Sequence, residues 1–156
     1  MNSQELDKLI NKDKYQVFIV LSTAAFPFFV FNHPWFVINR KGKISRFEIR
    51  HHKNNDKSLG YLHINAQPPF QGIPMFYYIK KFFYRVKLLK IIEGDENSLA
   101  KKVSDFVENS KETYTYSDEY HFTGPNSNTY IQWTLNNFPE IKVKLPWNCF
   151  GKNYKQ

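Results

Sequence analysis

The chain has 156 residues, of which 42% are hydrophobic and 23% charged, the size and composition of one globular domain. Aromatic residues make up 18%, and 22 Lys and Arg against 14 Asp and Glu give a formal net charge of +8. This composition excludes a collagen-like, disordered or heptad-built chain, and the charge favours contact with an acidic partner unless it only keeps the surface soluble.

The N-terminal region combines a polar segment with an uncharged apolar run. Residues 1–14 mix acidic, basic and polar side chains and lack the basic and apolar halves of a secretory signal. Residues 17–31 carry no charge, but the run is shorter than the about 20 apolar residues that cross a bilayer, and Pro27 interrupts it. We predict a buried strand over residues 15–21 and a turn at Pro27 instead of a membrane span.

Residues 30–52 are typical of a β-hairpin, because β-branched and aromatic residues occupy both arms and Lys41-Gly42 separates them. With those two residues in the turn, Phe36 lies opposite Phe47, and one face of the hairpin is mostly apolar.

The other face of this hairpin carries a polar cluster. In the same register, His33 is diagonal to Glu48 and to His52, with Trp35 on the same face. A histidine beside a carboxylate suits a general base, since the carboxylate fixes the tautomer and favours the imidazolium. The alternative is structural: His33 fills a partly buried sheet position while Glu48 pairs with Arg50.

Short strands and a helix follow the hairpin. We predict a strand at 61–65, then a Pro-rich loop and one or two strands within 75–92. A helix should begin near Ser98, because Leu99 and later apolar residues recur at helical spacing behind capping residues. The basic and aromatic residues of 77–90 have the composition of a nucleic-acid surface, but packed strands show the same letters, so nucleic acid is the less favoured partner.

The segment GPNSNTYIQW predicts a tight turn into a second helix, which begins near Ser127 and ends near Asn137. A helix N-terminus presents unpaired N–H groups and the positive end of the dipole. A nucleophile placed there would have its anionic state and an adjacent oxyanion stabilised. The alternative is that Ser127 or Asn126 is only an N-cap.

No metal or cofactor is predicted. Zinc needs three or four convergent ligands, and His63, His121 and Cys149 are too scattered in the sequence to indicate such a site. Cys149, the single cysteine, is interpreted as a small apolar core residue, and a chain without a possible internal disulfide favours a cytoplasmic location.

Several segments occur in an order that resembles an uncharacterised bacterial family of unknown function. That family carries an HxW strand, a GPNSNTF motif and a closing Leu-Pro segment followed by Gly-Lys-Asp-Tyr. The similar segments here are NHPWFVI, RFEI, GPNSNTY and LPWNCFGKNY. The resemblance covers residues 17–154 and implies no particular activity.

A more distant similarity is to the circularly permuted papain-like hydrolases, which include NlpC-type peptidase relatives and the lecithin:retinol acyltransferase type. The late helix of that group begins Asn-Cys, and Asn126-Ser127 stands at the matching place, with His33 matching the base and Glu48 or His52 the orienting residue. Because a serine replaces the cysteine, the similarity implies either a serine nucleophile or a lost activity.

We therefore expect a single α+β domain with a globular core over 15–154, in which an antiparallel sheet is packed by two or three helices in a permuted papain-like arrangement. The expected chemistry is hydrolysis or transfer of an amide or ester acyl group by Ser127, His33 and Glu48. The alternative is a non-catalytic binding module for an anionic or aromatic ligand. In either case the ligand is a small molecule, a peptide or lipid-like, and the predicted binding side chains are Asn126, Asn128, Trp35, His52 and Tyr120.

Overall fold

The computed structural model describes residues 3–76 and 79–154. Its strands are β1 (Tyr15–Thr23), β2 (Asn32–Arg40), β3 (Lys43–Ile49), β4 (Leu62–Ile64), β5 (Pro74–Phe76), β6 (Ile79–Phe83) and β7 (Lys87–Gly94). Five of them form an antiparallel sheet in the order β4-β3-β2-β1-β7, and β5 pairs with β6 in a separate two-stranded ribbon.

The helices follow mostly after the sheet in the sequence. They are α1 (Ser3–Asp7), α2 (Leu99–Glu108), α3 (Ser110–Thr113) and α4 (Ser127–Asn137), with single 3-10 turns at Lys57–Leu59 and Pro139–Ile141. The two longer helices, α2 and α4, pack on one face of the sheet. The predicted α+β class, with an antiparallel sheet packed by two main helices, is therefore confirmed.

The sheet is buried on both faces, which explains why its central strands contain long apolar runs. On one face, Phe36 packs with Ile131 of α4 in the larger core cluster. On the other face, Trp35 packs with Leu6 of α1 and with Phe70 of the Pro-rich loop. The residues before 15, predicted only as a polar segment, thus contribute the fully buried Leu6 to the packed structure.

The hairpin register predicted from the sequence is confirmed. Lys41 and Gly42 form the turn between β2 and β3, and their φ angles of 50° and 96° are both positive, as a two-residue type I′ turn requires. Phe36 lies opposite Phe47. This turn fixes which side chains of the two strands become neighbours at the far end of the hairpin.

The apolar run 17–31 forms β1 and the loop that leads to β2. None of the helices in the described part of the chain is long and apolar enough to span a membrane. Within 75–92, where one or two strands are predicted, three strands occur, β5, β6 and β7, and Tyr77 and Tyr78 of that stretch lie outside the described residues. The predicted helix begins behind Ser98, whose Oγ accepts a hydrogen bond from the Lys101 N–H at 3.3 Å.

Candidate functional site

A cavity of about 760 Å³ lies at the end of the sheet where β1 ends and β2 begins. Its walls come from the loop after β1, the start of β2, the segment after β3, the Pro-rich loop with the start of β5, the aromatic loop before α4, the first turn of α4 and the C-terminal segment. The predicted site residues that line this cavity are His33, His52, Tyr120, Asn126, Ser127 and Asn128.

Two other predicted residues, Trp35 and Glu48, lie beneath the cavity and do not line it. Both are fully buried, and the Trp35 indole N–H donates to the Pro69 carbonyl oxygen at 2.9 Å. Glu48 reaches the cavity only through His33, whereas Trp35 belongs to the core on the α1 side of the sheet.

His33 and Glu48 form the diagonal pair that the hairpin register predicts. The distance from His33 Nε2 to Glu48 Oε2 is 3.0 Å. An ionised carboxylate only accepts hydrogen bonds, so Nε2 carries the donated hydrogen. In the neutral imidazole, Nδ1 is therefore the nitrogen that can accept a proton.

The second partner of Glu48 is Arg46, and not Arg50 as the structural alternative from the sequence predicts. Arg46 Nη2 donates to Glu48 Oε2 at 2.8 Å, and Nη1 donates to the carbonyl oxygens of Pro68 and Gln71. The sequence does contain a signal for this pair, because side chains alternate along a strand and residues 46 and 48 therefore share one face. Arg46 and Glu48 thus form a fully buried ion pair below the cavity.

These contacts stabilise the ionised form of Glu48. Burial alone would raise the pKa of Glu48, but the hydrogen bond from His33 and the charge of Arg46 outweigh burial and lower this pKa to about 2. Glu48 is therefore ionised at neutral pH and orients the imidazole of His33 through a charge-assisted hydrogen bond.

Asn126 is the N-cap of α4. Its Oδ1 accepts hydrogen bonds from the N–H groups of Asn128 and Thr129, and its own N–H donates to Thr129 Oγ1, which completes a capping box. Its Nδ2 donates to the carbonyl oxygens of His121 and Phe122. The side chain of Asn126 is thus fully engaged within the fold, so it is not available to hold an oxyanion.

Ser127 is the first residue of α4 and is 4% exposed. Among the residues that the structure describes, none forms a hydrogen bond with its N–H or its hydroxyl. Since Asn126 caps the helix, Ser127 is not needed for that role. Its hydroxyl and its N–H, at the positive end of an 11-residue helix, are both left for another partner.

Ser127 and His33 approach the cavity from different faces of the sheet. Helix α4 packs on the face that carries Phe36, whose ring centroid lies 5.8 Å from that of Tyr130, whereas His33 alternates onto the face of Trp35. No hydrogen bond joins Ser127 Oγ to His33 within the described residues. Both side chains line the cavity because it lies where β1 ends and β2 begins, so that residues from either face of the sheet reach it.

The C-terminal segment completes the wall around α4. Asn128 Nδ2 donates to the Phe150 carbonyl oxygen at 2.7 Å, and Thr129 Oγ1 donates to the Gly151 carbonyl oxygen at 2.7 Å. Gly151 has a φ of +86°, and a Cβ at this position would lie 2.5 Å from Asn126 Nδ2. The GPNSNT and GK motifs therefore pack as one unit, which explains why they occur together in the sequence.

The ionisable wall of the cavity is basic. Arg50, His51 and His52 line it, and none of the described lining residues is acidic. Burial and the charge of Arg50 lower the pKa of His52 to about 4, so this imidazole is neutral at pH 7. Two buried acceptors, Gln67 Oε1 and Asn128 Oδ1, have no hydrogen-bond partner among the described residues. The wall thus offers positive charge and unpaired acceptors to a ligand.

The fold and the cavity define a small α+β protein with a basic pocket at the end of an antiparallel sheet. A family model, DUF3750, a protein of unknown function, matches residues 14–154, and the chain belongs to this family. No curated protein and no solved structure matches the chain. The papain-like similarity accordingly has no support from a solved fold.

Proposed function

We propose that the cavity is a hydrolase or acyltransferase site in which Ser127 attacks the carbonyl carbon of an amide or ester. The observation that carries this proposal is His33, which Glu48 orients through a 3.0 Å hydrogen bond and which lines the same cavity as a serine hydroxyl that no described residue binds. A nucleophile, a base and a group that orients the base are the three parts of such a site.

Each group has a defined role in the proposed reaction. His33 Nδ1 takes the hydroxyl proton as Ser127 Oγ forms a bond to the carbonyl carbon. The Ser127 N–H donates to the oxyanion, and His33 then gives the proton to the departing amine or alcohol. Water or another acceptor, activated by the same imidazole, releases the acyl group from Ser127.

The geometry adds one condition. Because Ser127 Oγ and His33 are not hydrogen-bonded, a side-chain rotation or a bridging water has to connect them when substrate binds. The unpaired acceptors Gln67 Oε1 and Asn128 Oδ1 suit a substrate with N–H groups, which favours an amide over a simple ester.

A fluorophosphonate probe tests the proposal, since it phosphonylates a serine that a nearby base activates. We expect one adduct by intact-mass spectrometry, mapped to Ser127 and absent from Ser127→Ala and His33→Ala. Glu48→Gln should slow the labelling by about tenfold or more because the imidazole loses its orienting charge. Ser58→Ala, at an exposed serine, is the matched control and should label normally. An unlabelled wild type, or an adduct that persists in Ser127→Ala, would contradict the proposal.

A non-catalytic anion-binding module is the second candidate, favoured by Arg50. This guanidinium lines the cavity and makes no ion pair with a described carboxylate. Titration calorimetry with benzoate distinguishes the two functions. A binding module predicts that Ser127→Ala binds benzoate like the wild type, that Arg50→Gln does not bind it, and that no protein of the set is phosphonylated.

A further inference from the structure

An exposed apolar surface borders the cavity. We name it the apolar rim, and its members come from the loop between β1 and β2 and from the β5–β6 ribbon. Each is at least 40% exposed, and the set is Phe26, Phe28, Phe29, Val30, Phe76 and Ile79. Large side chains exposed together in this way mark an interaction surface.

Ring contacts make the rim continuous. The Phe26 centroid lies 6.1 Å from that of Phe29 and 6.2 Å from that of Phe76, and the Phe26 N–H donates to the Met75 carbonyl oxygen at 2.9 Å. The loop and the ribbon are thus joined into one surface. Phe28 extends the surface to the cavity wall, where it contacts Phe122 at 5.5 Å.

Basic side chains occur on the same ribbon and on the segment that follows it. Lys81 is two residues after Ile79 on the same face of β6. Lys87 pairs with Leu21, two residues before β1 ends and the loop that carries the rim begins. Lys81, Arg85 and Lys87 are exposed, and none of them forms an ion pair with a described carboxylate. Phe82, which is 58% exposed, lies between Lys81 and Arg85 in the sequence and is on the opposite face of the ribbon from Ile79.

We propose that the apolar rim docks on the surface of an anionic lipid bilayer, with Lys81, Arg85 and Lys87 at the headgroups. Apolar side chains next to unpaired Lys and Arg are the composition of an interfacial membrane contact, since the rings enter the headgroup boundary while the cations meet anionic lipid. The proposal is independent of any chemistry at Ser127.

Charge and shape favour this partner over two others. A second copy of the chain would bring two surfaces of a molecule with net charge +8 together, which like-charge repulsion opposes. A nucleic acid would stack its bases on rings, but Val30 and Ile79 have no ring to offer and lie within the rim. Both side chains partition readily into a lipid interface.

Vesicle co-sedimentation tests the proposal on the full chain. We expect the protein to bind vesicles of phosphatidylcholine with about 30 mol% phosphatidylglycerol, and to bind phosphatidylcholine alone about tenfold more weakly. The double variant Phe26→Ser/Phe29→Ser should lose about tenfold in binding to the mixed vesicles. Both side chains are exposed, so the fold should persist, which circular dichroism checks.

A charge-matched pair of variants separates docking from general attraction. Lys81→Gln/Arg85→Gln and Lys12→Gln/Lys43→Gln remove the same charge, but the second pair lies by the hairpin turn, at the other end of the sheet. Only the first pair should weaken binding by about tenfold. The proposal would be overturned if the protein did not bind the vesicles, if both charge pairs gave equal losses, or if Phe26→Ser/Phe29→Ser had no effect. It would also be overturned if the protein preferred a single-stranded oligonucleotide, or if it formed a dimer that the Phe26→Ser/Phe29→Ser variant abolishes.

Discussion

The two ends of the five-stranded sheet differ in how their polar groups are partnered. At the hairpin-turn end, Arg40 bonds Asp105 and Glu108 of α2, and Lys14 bonds Asp95 at 2.7 Å. At the cavity end, Arg50 has no ion pair with the described carboxylates. The same end has the hydroxyl of Ser127 and two buried acceptors, none of them hydrogen-bonded to a residue that the structure describes, together with the apolar rim.

This difference makes the cavity end of the sheet the candidate functional end. Groups that are satisfied inside the chain need no ligand to explain them. A buried polar group without a partner costs free energy, and an exposed apolar surface remains in water unless something covers it. Such atoms also occur elsewhere among the described residues, as at Tyr114 OH, but at the cavity end Gln67 Oε1 and Asn128 Oδ1 lie in the same region as the apolar rim. A ligand and a surface at that end would complete contacts of both kinds.

The largest expected effect concerns the ion pair beneath the cavity. Glu48→Leu leaves the Arg46 guanidinium buried without its counter-charge, which should lower the free energy of unfolding by about 3–5 kcal/mol. Urea denaturation at pH 7 measures this loss. A control variant, Arg46→Met/Glu48→Leu, removes both charges and should recover most of it. If the double variant were as unstable as Glu48→Leu, an uncompensated charge would not be the cause.

The next effect concerns the helix start that presents Ser127. Asn126→Ala removes the acceptor for two N–H groups of α4 and the two bonds to the preceding loop, and should cost about 1–2 kcal/mol. Asn137→Ala, at the exposed end of the same helix, is the matched control and should cost less than about 0.5 kcal/mol. If Asn126→Ala and Asn137→Ala lowered stability equally in thermal or urea unfolding, the N-cap would not be the cause of the loss.

A smaller effect links pH to His52 in the cavity wall. The pKa of His52 falls from 6.5 to about 4, chiefly through burial and then through Arg50, so the unfolded chain binds this proton more readily than the folded chain. The contribution of His52 to stability is thus complete above pH 6.5 and is lost as the pH falls towards 4. Unfolding of His52→Gln should show a shallower loss between pH 7 and pH 5. An unchanged slope would contradict this, and measurement at pH 8 controls for other effects of the substitution.

The smallest effect concerns the hairpin-turn end. Lys14→Gln breaks a surface ion pair with Asp95 and should lower the free energy of unfolding only slightly, by less than the substitutions above, because exposed ion pairs contribute little. Salt screens such pairs, so the difference from the wild type should vanish in about 1 M NaCl. A loss that persists at high salt would mean that this end depends on more than screened charges.

The sequence predicts the parts of the fold that local rules determine. Once Lys41-Gly42 is recognised as a two-residue turn, strand alternation makes His33 and Glu48 neighbours. The start of α4 is equally local, because Asn126 has the side chain and the spacing to Thr129 of a capping box.

The remaining features depend on contacts between distant segments. Strand alternation puts Trp35 on the face of His33, but only the docking of α1 and the Pro-rich loop buries that face and removes Trp35 from the cavity wall. The approach of Ser127 and His33 from opposite faces depends on where α4 packs. No periodicity in the sequence encodes that choice of face.

The substitution Ser127→Cys tests most directly whether His33 acts on position 127. The native Cys149 is buried and burial raises its pKa to about 11, so the wild type should give almost no background with iodoacetamide. We predict that Ser127→Cys is alkylated rapidly at pH 6, where an ordinary thiol is protonated, and that Ser127→Cys/His33→Ala reacts only as the pH approaches about 8.5. The same pH profile with and without His33 would contradict the account.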